Sequence, residues 1–380
     1  MPLGKALLES VGATPDLTQS DALMDLSIIL QLKGDREIAL AMQQQALQLK
    51  QLYHLEAPSG TTALRLLALM TEGDLMTNMP LDLLLEDSDI ALDILYVAPH
   101  LPFPDVLPEH DVLFVGIGES DQTRSLLKQL DAALQDWPRP ILNRAEPITC
   151  LSRDCAHTLL SHLTGVAMPA TTRLTREQLA LIAQHPTTLS VYLADAEFPL
   201  IIRPIGSHAG HGLEKIDTPA QLSNYLTVMP EAIFYLSRFI DYSDNDGQFR
   251  KYRIVLIAGQ AYVAHMGISS HWMIHYMNAG MEESAEKRNE EARFMAEFEQ
   301  HFLPRHSDAL QAIYQTMQLD YLVLDCAETH DGKLLIFEVD NSAVVHTLDS
   351  AELFPYKRPQ MRKIFAAFRA LLLNASTSTL

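Results

Sequence analysis

Two short apolar runs, Leu322-Val323-Leu324 and Leu334-Leu335-Ile336-Phe337, flank the tetrapeptide His330-Asp331-Gly332-Lys333. Such runs on either side of Asp-Gly predict an antiparallel hairpin, because Asp-Gly supplies the positive φ of a two-residue turn. The first run ends in Asp325 and the second in Glu338, with Asp340 and Asn341 directly after it. Pairing across the turn brings Asp325 beside Glu338, with Asp340 or Asn341 next to them. Hard oxygen ligands gathered in this way suit Mg²⁺, which binds through one or two carboxylates plus substrate phosphates. The same pattern also serves an exposed hairpin with surface acids, so the remainder of the chain has to decide.

A chain of 380 residues is too long for one small core and predicts two or three domains. With a net charge of -20 it is a poor binder of nucleic acid or anionic membrane through bulk charge. Cys150, Cys155 and Cys326 form neither a disulfide framework nor a CxxC pair, which fits a reducing compartment. No apolar run is long enough to span a bilayer, and MPLGKALLES has no long apolar core, so the expected location is the cytoplasm.

Asp21 to Leu32 carries apolar residues at helical spacing, Gly34-Asp35 interrupts it, and Arg36 to Tyr53 resumes it. This predicts an αα-hairpin. The spacing of Gly34, Ala39 and Ala46 resembles one tetratricopeptide unit. It serves either as a partner or dimer surface or as a helical cap on the next domain.

Leu64–Met70, Ile90–Val97 and His110–Gly116 read as strands, the second with an awkward charge at Asp93. Gly116-Ile117-Gly118-Glu119-Ser120 and a helix from Gln122 to Gln135 follow, which is the strand, glycine turn and helix of a doubly wound domain. The third glycine of a dinucleotide fingerprint is missing. Pro138 to Asn143 adds a short strand.

Cations and glycines dominate the next part. Ser152-Arg153-Asp154 opens an apolar helix, and Thr175 caps another. Phe198 to Pro204 is a strand that delivers Arg203 to the loop Gly206-Ser207-His208-Ala209-Gly210-His211-Gly212. Backbone N–H groups of such a loop can wrap a polyphosphate, and arginine offers phosphate a fixed fork of donors. No Gly-Lys-Ser/Thr follows, so this is not a Walker loop. Ala232 to Asp241 is a strand whose edge suits adenine and whose Asp241 suits ribose hydroxyls. Phe249 to Gln260 is a cationic strand that places Lys251 and Arg253 on one face. His271 and His275 have i,i+4 spacing, which suits a metal on a helix and otherwise a substrate-lining loop. Glu282 to Phe302 reads as a charge-rich, solvated helix.

The order of these parts, from the α/β segment through RDxxxxxL, IIRPxGSHAGHG, Ser-Arg-Phe-Ile and RxYRIVLIAGQ to D…FEVDN, resembles the ATP-grasp superfamily over about residues 57–350. The resemblance implies an α/β (α+β) chain in three parts. These are a helical hairpin (1–56), a Rossmann-like pre-ATP-grasp domain (57–150) and an ATP-grasp domain of two subdomains (151–375). It also implies ATP and Mg²⁺ as cofactors, and a carboxylate that takes the γ-phosphoryl group before an amine attacks it. Carried over by position, Arg203 and Arg153 serve the phosphates and Gly206 to Gly212, with Ser207, His208, Gly210 and His211, form the phosphate lid. Ser237, Arg238 and Phe239 form the adenine hinge, with Asp241 nearby. Arg253 faces the γ-phosphate, and Asp325, Glu338 and Asp340 or Asn341 hold metal. Lys251, His271, His275 and His346 fall to the substrate side. This sequence departs from the family pattern at Arg203, at Cys155 and at Asp340, where the family has lysine, lysine and asparagine.

The expected partners are a small carboxylate and an amine of an amino acid, peptide or related molecule, with neither nucleic acid nor membrane, and a homodimer is compatible with the fold. A silent scaffold of the same fold and a small-molecule kinase are the alternatives.

Overall fold

The computed structural model describes residues 17–194, 196–207 and 210–377. Helices Leu17–Leu32 and Arg36–Leu49 form the expected αα-hairpin, turning at Gly34 with φ 88°. The second helix stops at Leu49 rather than running to Tyr53, and Leu52–Leu55 is strand β1. Sheet pairing overrides the helical spacing here. Tyr53 joins Leu23, Met24, Ala46 and Leu47 in a small core that seats the hairpin on the first sheet.

That sheet contains β1, β2 (Leu64–Met70), β3 (Ile90–Tyr96), β4 (Val112–Val115) and β5 (Ile141–Leu142) in the order β1-β3-β2-β4-β5. All neighbours are parallel except β1, which runs antiparallel to β3. Runs as apolar as β2 and β4 suit strands covered on both faces, and separate cores lie on the two sides. Asp93 is buried in β3 because His54, its partner on β1, meets its carboxylate at 2.9 Å.

The chain continues through β6 (Val166–Ala167) into β7 (Thr171–Thr175), β8 (Leu200–Pro204), β9 (Glu214–Ile216) and β10 (Ile233–Arg238). The last four form an antiparallel sheet, ordered β7-β10-β8-β9. Helices Arg176–Gln184 and Pro219–Val228 cover it, the first started by a capping box between Thr175 and Gln178. This sheet has a hydrophobic core of its own, with Leu179, Ile182, Leu222 and Phe234 fully buried.

The third sheet is built from β11 (Phe249–Ile257), β12 (Gln260–Ser269), β13 (Tyr321–Glu328) and β14 (Leu334–Asp340), ordered β12-β11-β13-β14-β6. It shares both large cores with the first sheet, and helix Lys357–Thr377 is packed into one of them. Buried Asn143 ties the two sheets directly. Its side chain receives the Tyr321 N–H at 2.8 Å and donates to the Tyr321 carbonyl at 2.9 Å.

Two sequence expectations change. In the β13–β14 hairpin only Gly332 has positive φ, and its N–H bonds the Thr329 carbonyl at 2.9 Å. The connection is therefore a turn closed by a glycine bulge, not a two-residue loop. The stretch Glu282 to Phe302 is not one solvated helix. It divides into Ala285–Glu297 and the start of Phe302–Met317, and Glu291 is completely buried. Among the described residues, no helix is long and apolar enough to cross a membrane.

Candidate active site

A single transverse row of side chains crosses the third sheet. His265 on β12 is the register partner of Arg253 on β11, Arg253 of Asp325 on β13, and Asp325 of Glu338 on β14. Directly opposed residues stand roughly 4.5–5.5 Å apart, so the four are immediate neighbours. A register shift follows the row on each side, one after Arg253 and one after Asp325, leaving Ala264 and Phe337 as the extra residues. Bulges re-aim side chains and are over-represented beside active sites. All four side chains line a cleft of about 1290 Å³. That exceeds the roughly 300–1,000 Å³ of a typical single-ligand pocket and leaves room for more than one ligand.

Charge in the row is paired tightly. Arg253 donates from Nε to Asp325 Oδ1 at 2.8 Å and from Nη2 to Oδ2 at 3.1 Å, and Lys251 reaches Oδ2 at 2.7 Å. Burial alone would raise the Asp325 pKa, but the Arg253 and Lys251 cations hold it well below the usual carboxylate range. Arg253 also bonds the Val344 carbonyl at 3.1 Å, fixing the segment after β14. Burial opposes ionisation of Glu338 as well, and Arg153, which hydrogen-bonds it, and then Arg203 bring its pKa down. At Asp340 burial and the Glu338 charge act together and push the carboxyl up.

The second sheet forms the facing wall. Tyr235 on β10 is flanked by its register partners Arg203 on β8 and Arg173 on β7. Arg203 donates to the Ser207 carbonyl and, from Nε, to Ser207 Oγ at 3.2 Å. Burial and then the neighbouring Arg153 push its pKa down to about 10. Arg153, Arg203, Lys251 and Arg253 thus come from three separate elements to one cleft. Gly206, Ser207 and Gly210 line it too, the two glycines with φ 73° and 77°, whereas His211 and Gly212 do not. His208 lies outside the described residues.

Several anticipated residues stand elsewhere. Asn341 does not line the cleft. Strand alternation turns it away from the Glu338 face, and it is buried with its amide on the Ile117 carbonyl at 2.9 Å. Asp340 has the cleft-facing position, one oxygen accepting the Ser342 N–H at 2.7 Å. β10 is a central strand, so only its end beyond Ser237 has an open edge towards β7. The Phe239 N–H is already given to the Pro199 carbonyl at 3.2 Å, although Ser237, Arg238 and Phe239 all line the cleft. Asp241 is outside it and caps the Ser243 N–H. His271 and His275 are not on a helix, because β12 ends at Ser269 and the next turn begins at Tyr276. His275 and His346 line the cleft and His271 does not. Cys155 is followed directly by a buried Ala156 and is not in the lining, so Arg153 is the cation of that helix in the cleft.

Among the described residues no three His, Cys, Asp or Glu side chains are grouped as a ready-made metal cage. Mg²⁺ needs none, since it is held by one or two carboxylates together with substrate phosphates. Asp325 and Glu338, adjacent on one sheet face with Asp340 two residues on, are an all-oxygen donor set of that kind.

Sequence reasoning missed a buried polar network at one end of the cleft. Glu291 receives the Met266 N–H at 3.0 Å, the Tyr276 hydroxyl at 2.9 Å and the Tyr356 hydroxyl at 2.6 Å. Lys357 stands 3.9 Å from it and bonds Asp349 at 2.9 Å. The signal available in sequence was the pair of aromatic residues, Tyr276 and Tyr356, that each carry a polar tip.

No family model matches the sequence, and no curated protein matches it. Among solved structures, the chain is similar to the VanG D-Ala:D-Ser ligase of Enterococcus faecalis, with TM-score 0.48 and 12% identity over 82% of this chain and 99% of that one. It is similar to a D-alanine–D-alanine ligase of Bacillus anthracis complexed with ATP, with TM-score 0.46 and 12% identity over 84% of this chain and 100% of that one. It is also similar to a RimK domain ATP-grasp protein of Sphaerobacter thermophilus, with TM-score 0.42 and 15% identity over 81% of this chain and 99% of that one.

Proposed function

We propose that this protein is an ATP- and Mg²⁺-dependent ligase that joins a carboxylate to an amine and releases ADP and phosphate. The observation that carries the reading is the row His265, Arg253, Asp325 and Glu338, bordered by bulges and facing Arg203 across one cleft. Cations converging with carboxylates in one cleft suit phosphoryl transfer, in which catalysis is positioning plus electrostatic stabilisation. The sequence resemblance to ATP-grasp enzymes supports the same reading, as does the succession of a helical hairpin, a mainly parallel sheet, an antiparallel sheet and a mainly antiparallel one.

Arg153 and Arg203 hold the polyphosphate, with the N–H groups of Gly206, Ser207 and Gly210 around it. The substrate carboxylate attacks the γ-phosphorus, the bond to the β-phosphate bridging oxygen breaks, and ADP leaves. Arg253 holds the resulting acyl phosphate. The amine nitrogen attacks the acyl carbon, phosphate departs, and the nitrogen loses a proton. Asp325, Glu338 and Asp340 would hold Mg²⁺, which supplies charge neutralisation on the phosphates when bound. Arg253 and Lys251, now paired with Asp325, and Arg153, now paired with Glu338, would then be free to face the phosphates.

ADP release by the purified protein with Mg·ATP, across amino acids and small carboxylates, tests the proposal. Substrate-stimulated release that disappears in Asp325→Ala and Glu338→Ala supports it. AMP release points to adenylation instead. A phosphorylated product formed without any amine points to a kinase, and absence of Mg²⁺-dependent ATP binding to a scaffold.

A further inference from the structure

The buried network around Glu291 reaches the cleft through Tyr276, Lys357 and Asp349, and Asp349 is its anionic member there. Glu291 is fully buried and Lys357 is 4% exposed, whereas the Asp349 side chain is 27% exposed and lines the cleft. Lys357 Nζ is fixed on every side. It bonds Asp349 Oδ2 at 2.9 Å, stands 3.9 Å from Glu291, and sits 3.9 Å above the Tyr276 ring and 4.4 Å from the Phe354 ring. Asp349 Oδ1 has no protein partner among the described residues. Burying an ion pair is costly unless its geometry is fixed by further bonds, so a network this complete holds Asp349 in one place.

His265 adjoins the same corner. Its ring lies 4.6 Å from Tyr276, it lines the cleft, and its buried Nδ1 has no partner. His346 lines this end as well, its Nδ1 already accepting the Leu348 N–H at 3.0 Å. The corner thus presents one open carboxylate oxygen, an acceptor that matches the N–H donors of a primary ammonium group, with the two imidazole rings beside it. Because His265 is the register partner of Arg253, the corner lies next to the place assigned above to the acyl group.

We propose that Asp349, held by Lys357 and Glu291 and flanked by His265, is the subsite that binds and orients the primary amine substrate. Glu291 and Lys357 are positioning residues. The role of the amine as nucleophile rests on the ligase reading, but the subsite makes a prediction that needs no turnover.

Alaninamide carries an ammonium group, and lactamide is the same molecule with a hydroxyl in its place. Saturation-transfer NMR with both probes, in the presence of Mg²⁺ and a non-hydrolysable ATP analogue, tests the corner directly. The full-length protein is expected to bind alaninamide at least tenfold more tightly than lactamide. Asp349→Asn should abolish that preference, and Glu291→Gln should reduce it, with binding of the ATP analogue unchanged within twofold in both. Equal binding of the two probes by the unmodified protein overturns the proposal, and does so even if a variant fails to fold. Retention of the preference in a folded Asp349→Asn variant overturns it as well. A clear amine preference in a protein without ligase turnover leaves the subsite standing and removes the ligase reading instead.

Discussion

Arg253 and Asp325 oppose each other as register partners on β11 and β13, and the guanidinium forks both carboxylate oxygens at 2.8 and 3.1 Å. Removing one member of such a pair strands the other in a low-dielectric wall. Asp325→Ala leaves Arg253 and Lys251 facing each other without their shared carboxylate, and a loss of about 3–5 kcal/mol is expected from breaking a buried pair on one side. Urea unfolding measures it. A loss below about 1 kcal/mol would mean that water compensates the cations.

Arg203 stands alone on β8 as the cation beside the glycine loop. Charge-assisted hydrogen bonds are worth about 1.5–3 kcal/mol, so Arg203→Ala should weaken Mg·ATP binding by roughly 10- to 100-fold. Arg203→Lys should recover part of that, since a lysine keeps the charge but not the fork. Calorimetric titration with ATP decides. An unchanged affinity in the alanine variant would remove Arg203 from the phosphate site.

Glu328 gives a pH signature at a distance from the cleft. Burial would raise its pKa, but hydrogen bonds from His306 at 2.7 Å and Arg305 at 2.9 Å bring it below the ordinary glutamate value. A carboxylate depressed in the folded state contributes stability that is present above its unfolded pKa and is lost as the pH falls through the folded one. Glu328→Gln should therefore cost about 1–2 kcal/mol at neutral pH. The gap from the unmodified protein should close below about pH 4. Thermal unfolding from pH 3 to 7 checks this, and a gap that does not change with pH would refute it.

Gly118 is a close-approach glycine. A Cβ there would stand 2.7 Å from Ser342 Oγ and 3.1 Å from the Thr77 carbonyl oxygen. Gly118→Ala should destabilise by about 1–3 kcal/mol, the range for overpacking. Ser342→Gly added to it should restore part of the loss, because the Thr77 contact remains. Denaturation of the single and double variants measures the coupling.

Ala258 occupies the first position of a two-residue turn with φ 49°, ahead of Gly259 at φ 78°. A non-glycine residue in that region carries about 1–2 kcal/mol of strain, and asparagine tolerates it better than alanine. Ala258→Asn should raise stability by about 0.5–1 kcal/mol. No change in the melting temperature would contradict the assignment of the turn.

Much of this architecture is legible along the chain because its cause is local. The alternation of β11 puts Lys251 and Arg253 on one face, and the same alternation separates Asp340 from Asn341. The glycine break at residue 34, the capping Thr175 and the apolar runs of β2 and β4 all act within a few residues of themselves. The pairing of Asp325 with Glu338 belongs here too, because a short hairpin brings its two ends together whichever turn closes it.

Tertiary structure alone decided the rest, since the partners are far apart in sequence. Leu52–Leu55 became a strand because β3 offered an edge about forty residues away, a gain that outweighs weak helical propensity. Arg153 meets Glu338 at the cleft, and Glu291 is buried within a helix that reads as solvated, because Tyr276, Tyr356 and the Met266 amide converge on it. A charge is buried only where donors arrive from several elements, and that convergence has no period in the sequence.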